Sequence, residues 1–236
     1  ACPACSKQSW RAVAIGSARS AQELAAAFPS VDVMVSDSES GIISSIPNSP
    51  AIVVSTVGAE PAATDRYAAA VLLDGDAQLG SAHLRSGEQL VRRWFNAASL
   101  TRAASAGGQI AVTADPASRA VQALVRGDAA AWATRELAER RETALPPVVR
   151  SAQISGRQGR VEEFVKACAF PSAWRLLGPT PQLNSVGTQP GAQVVVLTPT
   201  AEGPLLAARI KAALAADAAG SGTDRVSVRL DPLSAL

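Results

Sequence analysis

The residues near the start of the chain that could do chemistry are two cysteines. Cys2 and Cys5 form a Cys-x-x-Cys pair, which can place two thiolates on one metal ion. A structural zinc site takes four ligands, and the other candidates, Cys168 and His83, are distant and lack zinc-ligand spacing. We favour half of a zinc site whose other cysteines lie upstream, which makes the chain a fragment. A redox pair, which requires a βαβ context, and a chance pair remain as alternatives.

Other catalytic patterns are weak or missing. His83 is the only histidine, and no serine lies in a Gly-x-Ser-x-Gly turn, which disfavours a Ser-His-Asp hydrolase. The sequence contains neither Gly-x-Gly-x-x-Gly nor Gly-x-x-x-x-Gly-Lys, the loops that bind dinucleotides and triphosphates. Asp74 and Asp76 have the spacing of metal ligands, but two carboxylates alone make a weak magnesium site. A turn at the end of a strand is the favoured interpretation.

Composition narrows the class of protein but does not decide its ligand. Of the 22 basic residues only Lys7, Lys166 and Lys211 are lysines, so 19 are arginines, whose planar forks suit phosphate. A GC-rich genome explains the same content, and a net charge of +2 neither favours nor excludes nucleic acid. No apolar run approaches a membrane span of roughly 18 residues, and no secretory leader is visible. We therefore expect no membrane partner.

Strands and helices alternate through the first 146 residues. Ser20 is predicted to cap a helix with Glu23 as its capping-box partner, and Pro29 ends that helix. This alternation predicts a mostly parallel sheet covered by helices. The predicted strands are 10–16, 31–35, 51–55, 70–73 and 109–113, and the predicted helices are 20–28, 87–98 and 118–143, the last with a break near Gly127.

The two prolines Pro146 and Pro147 mark a change in organisation. After them we predict a small α+β domain in which proline-rich loops separate the elements. Its predicted strands are 149–155, 193–197 and 225–230, and its predicted helices are 161–169 and 204–219. We expect Cys168 to be an ordinary buried thiol.

Several segments follow one another in the order typical of a known family. The clearest is the helical segment 136–141, Glu-Leu-Ala-Glu-Arg-Arg, followed by Leu145-Pro146-Pro147. The others are the order Cys2, Cys5 and Gly16, then Phe28-Pro29, Ser36-Asp37-Ser38, the strand 52–57, the segment 73–79 with Arg85 and Glu88 after it, and Asp231-Pro232. Over its whole length the chain resembles the C-terminal half of the primosomal protein N′ (PriA) family of replication-restart DNA helicases.

The chain departs from this family where nucleotide chemistry is concerned. The family carries Gln-x-x-Gly-Arg-x-Gly-Arg, whose arginines face the γ-phosphate of the nucleotide, and such an arginine can be worth ~10³ in rate. The corresponding segment 95–102 has Ser99 in place of the first arginine, and only Arg102 survives as a candidate arginine finger. The lysine-glycine expected in 58–62 is also missing. This pattern resembles the actinobacterial branch, in which the helicase motifs have decayed.

The resemblance implies an α/β fold with three parts. Residues 1–8 correspond to a remnant of the zinc-binding segment, 9–146 to the second RecA-like helicase lobe with a mostly parallel sheet, and 147–236 to a small C-terminal α+β domain. Cys2 and Cys5 would share Zn²⁺ with cysteines upstream, and ATP would bind through an N-terminal lobe. The resemblance also implies a cytoplasmic, nucleoid-associated protein.

The implied partners are branched or forked DNA, single-stranded DNA and other primosome proteins. Exposed arginines should contact phosphate, and we predict Arg85, Arg157 and Arg160 as DNA contacts, with the glycine-containing segment 155–160 as the best of these. A solvated or salt-bridged side chain is the alternative for each. The wider set of candidates is Arg92, Arg93, Arg102, Arg140, Arg141 and Arg150.

Three functions follow. The first is a replication-restart DNA-binding protein that is helicase-like but without helicase activity of its own. The second is an active ATP-dependent 3′–5′ helicase in which Arg102 suffices. The third is a non-catalytic α/β interaction domain.

Overall fold

The computed structural model describes residues 16–183, 190–220 and 225–233. The chain forms two compact units that divide between Trp132 and Ala133. The domain boundary predicted at 147 falls within the second unit. Cys2, Cys5 and most of the predicted strand 10–16 lie outside the described residues. Within the described part of the chain, no helix is both long enough and apolar enough to cross a bilayer.

The first unit contains short strands alternating with helices. Its described strands pair in parallel, β1 with β3, β2 with β4 and β5 with β6, so the prediction of parallel strands is confirmed, but as three separate pairs rather than one sheet. The elements are α1 (Ser17–Ala27), β1 (Asp32–Ser36), β2 (Ser45–Ile46), β3 (Ala51–Ser55), β4 (Ala62–Ala63), β5 (Ala69–Leu72), α2 (Gly75–Leu79), α3 (Ser86–Ser99), β6 (Gln109–Val112), α4 (Arg119–Arg126) and α5 (Ala129–Thr143), which crosses the division.

Two of the predicted helix ends can be checked against backbone hydrogen bonds. The predicted cap at Ser20 is wrong, because the amides of Arg19 and Ser20 already bond to the carbonyl of Gly16 and the helix therefore begins at Ser17. The predicted break near Gly127 is confirmed. Gly127 ends α4 in the left-handed conformation at φ 68°, which a residue without Cβ adopts at little cost.

The core of the first unit lies between α3 and α4. Leu90, Val91 and Trp94 recur at helical spacing on α3 and are buried against Ala120 and Val121 of α4. Leu72 of β5 and Val112 of β6 pack against this cluster, which fixes the β5–β6 pair beneath α3.

The second unit is built on one sheet. Its elements are β7 (Val149–Arg157), α6 (Gln158–Cys168), β8 (Arg175–Leu183), β9 (Pro190–Pro199), α7 (Gly203–Gly220) and β10 (Ser227–Leu230). The strands form an antiparallel sheet in the order β10-β7-β9-β8. Alternate residues of β7 and β9, such as Ile154 and Val196, are buried together with Phe164 of α6 and Leu206 of α7. Both helices therefore pack on one face of the sheet.

Strand β8 corrects the sequence analysis, which predicted loops for this region. Pro179 and Pro181 lie inside the strand and would interrupt a central one, since proline cannot donate to a ladder hydrogen bond. The sheet accepts them because β8 is an edge strand and its register shifts between Leu177 and Thr180. The other predicted elements of the described region are present, with their ends moved by a few residues.

Candidate nucleic-acid interface

The sheet of the second unit has a polar area on the face opposite its helices. In an antiparallel pair, residues directly opposite one another share a face, and the register pairs Arg229 with Gln153, and Arg157 with Gly191. Since alternate residues along β7 share a face, Gln153 and Arg157 lie on the same side, away from Ile154 and the helices. We call this set the outer face: Gln153, Ser155, Arg157, Thr180, Gln182, Gln193, Ser227 and Arg229.

A row of three glutamines crosses the outer face. Gln153 Nε2 donates to Gln193 Oε1 at 2.8 Å, and Gln182 Nε2 donates to the same oxygen. Gln153 Oε1 is buried with no hydrogen-bond partner. Arg157 and Arg229 lie on the same face as this row, and their guanidinium groups supply the donors that an anionic polymer requires.

Arg157 and Arg160, both predicted DNA contacts, have different surroundings. The segment 155–160 does not form a turn, because β7 continues to Arg157 and α6 begins at Gln158. Arg157 is exposed on the outer face at the start of α6. Arg160 points into an ion-pair cluster, with Nη1 2.5 Å from Glu163 Oε2 and Nη2 bonded to Asp217. Its side chain is 24% exposed.

Arg85, the remaining predicted DNA contact, lies directly before α3. Its guanidinium is 3.5 Å from Glu88, and the side chain is 19% exposed. The nearby His83 is exposed and lies outside the helices and strands. Arg85 belongs to the first unit and Arg157 to the second.

Several arginines of the second unit serve the fold itself. Arg140, one of the wider candidates, is 3% exposed, pairs with Glu136 at 2.6 Å and donates to the carbonyl of Pro146 at 2.8 Å. Arg175 and Arg209 donate to the last carbonyls of α5 and α6, groups that a helix leaves unpaired. Arg140 is thereby removed from the set of surface contacts.

Ser99 and Arg102 lie at the end of α3 and just after it. The Ser99 hydroxyl donates to the carbonyl of Asn96 at 2.7 Å, so it is occupied by its own helix. Arg102 is exposed, and its Nε donates to the carbonyl of Asp65 at 3.1 Å. A Cβ added to Gly108 would lie 1.9 Å from the Arg102 carbonyl oxygen, so this close approach requires glycine.

Asp74 and Asp76 follow β5 and serve the local turn. Asp74 has φ 58°, and its amide donates to Thr113 Oγ1 at 3.0 Å. Asp76 Oδ1 accepts the amide of Asp115 at 2.8 Å. Both contacts join the end of β5 to the segment after β6.

The described residues do not supply a set of metal ligands. Among them, no group of three or more histidine, cysteine, aspartate or glutamate side chains could hold a metal ion. Cys168 is buried in the core of the second unit, and burial raises the pKa of its thiol to about 11, which disfavours the thiolate that zinc requires. Cys2 and Cys5, the predicted zinc ligands, lie outside the described residues.

Two arginines were missed by the sequence analysis. Arg229 lies on the outer face, opposite Gln153. Once the bounds of β10 are known, the alternation of side chains along the strand predicts this position. Arg66 follows β4, and its guanidinium donates to the carbonyl of Ser99. No local signal indicates that contact, because the two residues are 33 positions apart.

Comparison with known proteins identifies the class of protein to which this fold and these residues belong. Residues 141–233 match the family described as the primosomal protein N C-terminal domain. The chain is similar to the probable replication restart protein PriA of Mycobacterium leprae, with 38% identity over 239 residues, 98% of this chain and 37% of the relative. It is similar also to the proteins of that name from Mycobacterium tuberculosis and Mycobacterium bovis, each 41% identical over 75% of this chain and 28% of the relative.

The chain belongs to the PriA family of replication restart proteins of the primosome. The resemblance identified from the sequence is therefore confirmed. The chain spans about 37% of the length of the Mycobacterium leprae relative.

Proposed function

We propose that this chain is the DNA-contacting part of a replication-restart protein that recognises branched or forked DNA and has no helicase activity of its own. The observation that carries the proposal is Ser99, which stands where the family has an arginine and whose hydroxyl is bonded to its own helix. Preorganised positive charge at the developing negative charge is what chemistry on a triphosphate requires, and serine cannot supply it.

The first unit, in this proposal, is the second RecA-like lobe of the helicase architecture. The parallel pairing of β1 with β3 and of β5 with β6, with helices between the strands, supports this assignment. ATP would reach it through an N-terminal lobe, and Zn²⁺ would be held by Cys2 and Cys5 with cysteines upstream. The protein would act on the chromosome, in the cytoplasm.

DNA contact, in this proposal, falls to exposed arginines. The outer face is the strongest candidate surface, because Arg157 and Arg229 are exposed there beside the glutamine row. Arg85 and Arg160 are weaker candidates, because their side chains are mostly covered. Single-stranded DNA and other primosome proteins are the remaining proposed partners.

Binding of labelled DNA to the 236-residue chain tests this proposal. We expect fluorescence anisotropy to give tighter binding to a forked DNA than to a duplex of equal length, with affinity falling as salt rises. Arg157→Ala and Arg229→Ala should each weaken fork binding several-fold and reduce the salt slope by about 0.9. Arg126→Ala, an exposed arginine at the end of α4, is the control. Equal affinity for fork and duplex, or equal effects of all three variants, would contradict the proposal.

An active 3′–5′ helicase is the second candidate, because Arg102 survives and is exposed. An ATPase assay of the full-length protein with and without forked DNA separates the two functions. DNA-stimulated turnover that Arg102→Ala abolishes would favour the helicase, whereas no turnover favours the binding protein. A non-catalytic interaction domain, the third candidate, predicts no salt-dependent DNA binding at all.

A further inference from the structure

The segments 65–67 and 99–102 are joined side by side at the end of α3. The amide of Tyr67 donates to the carbonyl of Leu100 at 2.9 Å, and the amide of Arg102 donates to the carbonyl of Tyr67 at 2.9 Å. This is a short parallel bridge between residues far apart in the sequence. It holds Arg66 beside the segment in which the family carries its arginines.

The side chains of Arg66 and Arg102 cross this bridge in opposite directions. Arg66 Nη1 donates to the carbonyl of Ser99, and Arg102 Nε donates to the carbonyl of Asp65. Each guanidinium donates one hydrogen bond to a main-chain carbonyl of the opposite segment. Arginine has five N–H donors in a planar fork, so each guanidinium keeps donors beyond the one used in this contact.

Neither guanidinium has a carboxylate partner among the described residues. Asp65, the nearest acid in sequence, receives a hydrogen bond from Asn48 Nδ2 at 2.7 Å instead. Both arginines are exposed, so their positive charge faces solvent. Elsewhere in the described part of the chain, carboxylates pair with Arg19, Arg85, Arg140, Arg150 and Arg160.

The backbone at Arg66 is held in a conformation that side chains seldom adopt. Its φ is 61°, in the left-handed region, which costs an ordinary residue about 1 kcal/mol. A residue persists there when the surrounding structure fixes it, and such positions cluster at functional sites. Glycine or asparagine would fit the turn more easily, so the turn alone does not explain an arginine.

We propose that Arg66 and Arg102 form a phosphate-binding site, in which the Arg66 guanidinium is held beside Ser99 by its hydrogen bond to the Ser99 carbonyl. The ligand is a phosphate group, carried either by a nucleic-acid backbone or by a nucleotide. The inference deepens the proposed function and rests on it for the nucleic-acid case. It concerns binding and not hydrolysis.

Two probes applied to the 236-residue chain separate the two sources of phosphate. The first is fluorescein-labelled oligothymidine followed by anisotropy, and the second is inorganic tripolyphosphate followed by calorimetry. Arg66→Ala should weaken binding of one probe about tenfold, the loss expected for one charged hydrogen bond, and that probe identifies the source. For oligothymidine the salt slope should also fall by about 0.7. Arg126→Gln, which removes the same charge from an exposed site, should change affinity less than twofold.

Restoring the family's arginine provides the sharpest comparison. Ser99→Arg should recover most of the lost affinity in the Arg66→Ala background and add little to the wild type. In the wild type, the NMR signal of the Arg66 side chain should shift on addition of whichever probe binds. This measurement needs no variant.

Three outcomes would overturn the inference. The first is an Arg66→Ala variant that matches Arg126→Gln with both probes. The second is a double variant with Ser99→Arg that recovers nothing, and the third is an Arg66 signal that does not move. Tight fork binding alongside any of these leaves the proposed function intact, whereas loss of fork selectivity in the wild type contradicts the proposed function alone.

Discussion

The two units hold their strands together in different ways. Every described strand of the second unit belongs to one antiparallel sheet, and twelve buried side chains from the sheet and its helices form one core. In the first unit the described strands form three separate pairs, and the main buried cluster contains five side chains. The second unit therefore depends on apolar burial to a greater extent than the first.

In the first unit, polar contacts at the ends of strands also stabilise the fold. Ser36 is completely buried at the end of β1, where its hydroxyl donates to the carbonyl of Ala59 at 2.6 Å and accepts the amide of Ile43 at 3.0 Å. Asp37 follows with three hydrogen bonds of its own. Polar contacts of the same kind join the Asp74 turn after β5 to the segment after β6.

Removing an aromatic ring from the core of the second unit should have the largest effect. Phe164 is 3% exposed, and Phe164→Ala should lower the free energy of unfolding by about 3–5 kcal/mol, because it removes buried area and leaves a cavity. Hydrogen exchange measured by mass spectrometry should show faster exchange in peptides from β7, β9 and α6. Phe28→Ala, at a residue that is 49% exposed, is the control and should cost less than about 1 kcal/mol. Equal effects would contradict the importance of this core.

Adding a methyl group to the first unit should have an intermediate effect. A Cβ at Gly75 would lie 2.7 Å from Ala114 Cβ and 2.8 Å from Trp94 Cζ2, so the core must shift to admit it. Gly75→Ala should therefore cost about 1–3 kcal/mol. Urea unfolding followed by NMR signals of α3 would measure the change. Gly159→Ala, with no atom within 4 Å of the added Cβ, is the matched control and should cost nothing measurable.

Local patterns predicted most of the secondary structure, and long-range contacts explain the failures. Helix α3 was predicted nearly to its ends, because Leu90, Val91 and Trp94 repeat at helical spacing and this spacing is visible in the sequence. Strand β8 was not predicted, because its prolines are typical of loops. Its position at the edge of the sheet, which permits prolines, depends on pairing with β9 and cannot be seen locally.

The candidate sites show the same limit. Arg160 is a predicted DNA contact, and the sequence gives no indication of its ion pair with Asp217, which is 57 residues away on α7. Its pairing with Glu163, one helical turn away, could have been anticipated from sequence. The contact of Arg66 with Ser99 depends on the bridge between two loops. No periodicity in either loop predicts this contact.

The smallest expected effect concerns pH and a single carboxylate of the first unit. Asp37 accepts hydrogen bonds from the Ser17 hydroxyl at 2.5 Å and from the amides of Ser40 and Glu39 at 2.6 and 3.0 Å. The Ser17 contact first, and then the Ser40 amide, hold the pKa of Asp37 below its usual 3.8. Because the charged form is favoured in the folded state, its stabilisation is present above pH 3.8 and is lost as pH falls through the lower folded pKa.

Asp37→Asn should therefore lower the urea midpoint of first-unit NMR signals near pH 7, and the gap from the wild type should narrow below pH 4. Glu39→Gln removes a neighbouring exposed charge and leaves the three hydrogen bonds in place, so its midpoint should stay near that of the wild type. A difference in urea midpoint between Asp37→Asn and the wild type that stays constant from pH 7 to pH 3 would contradict this prediction. The side chain would then stabilise the fold through its shape and not through its charge. The polar strand ends of the first unit would then be as insensitive to pH as the apolar core of the second.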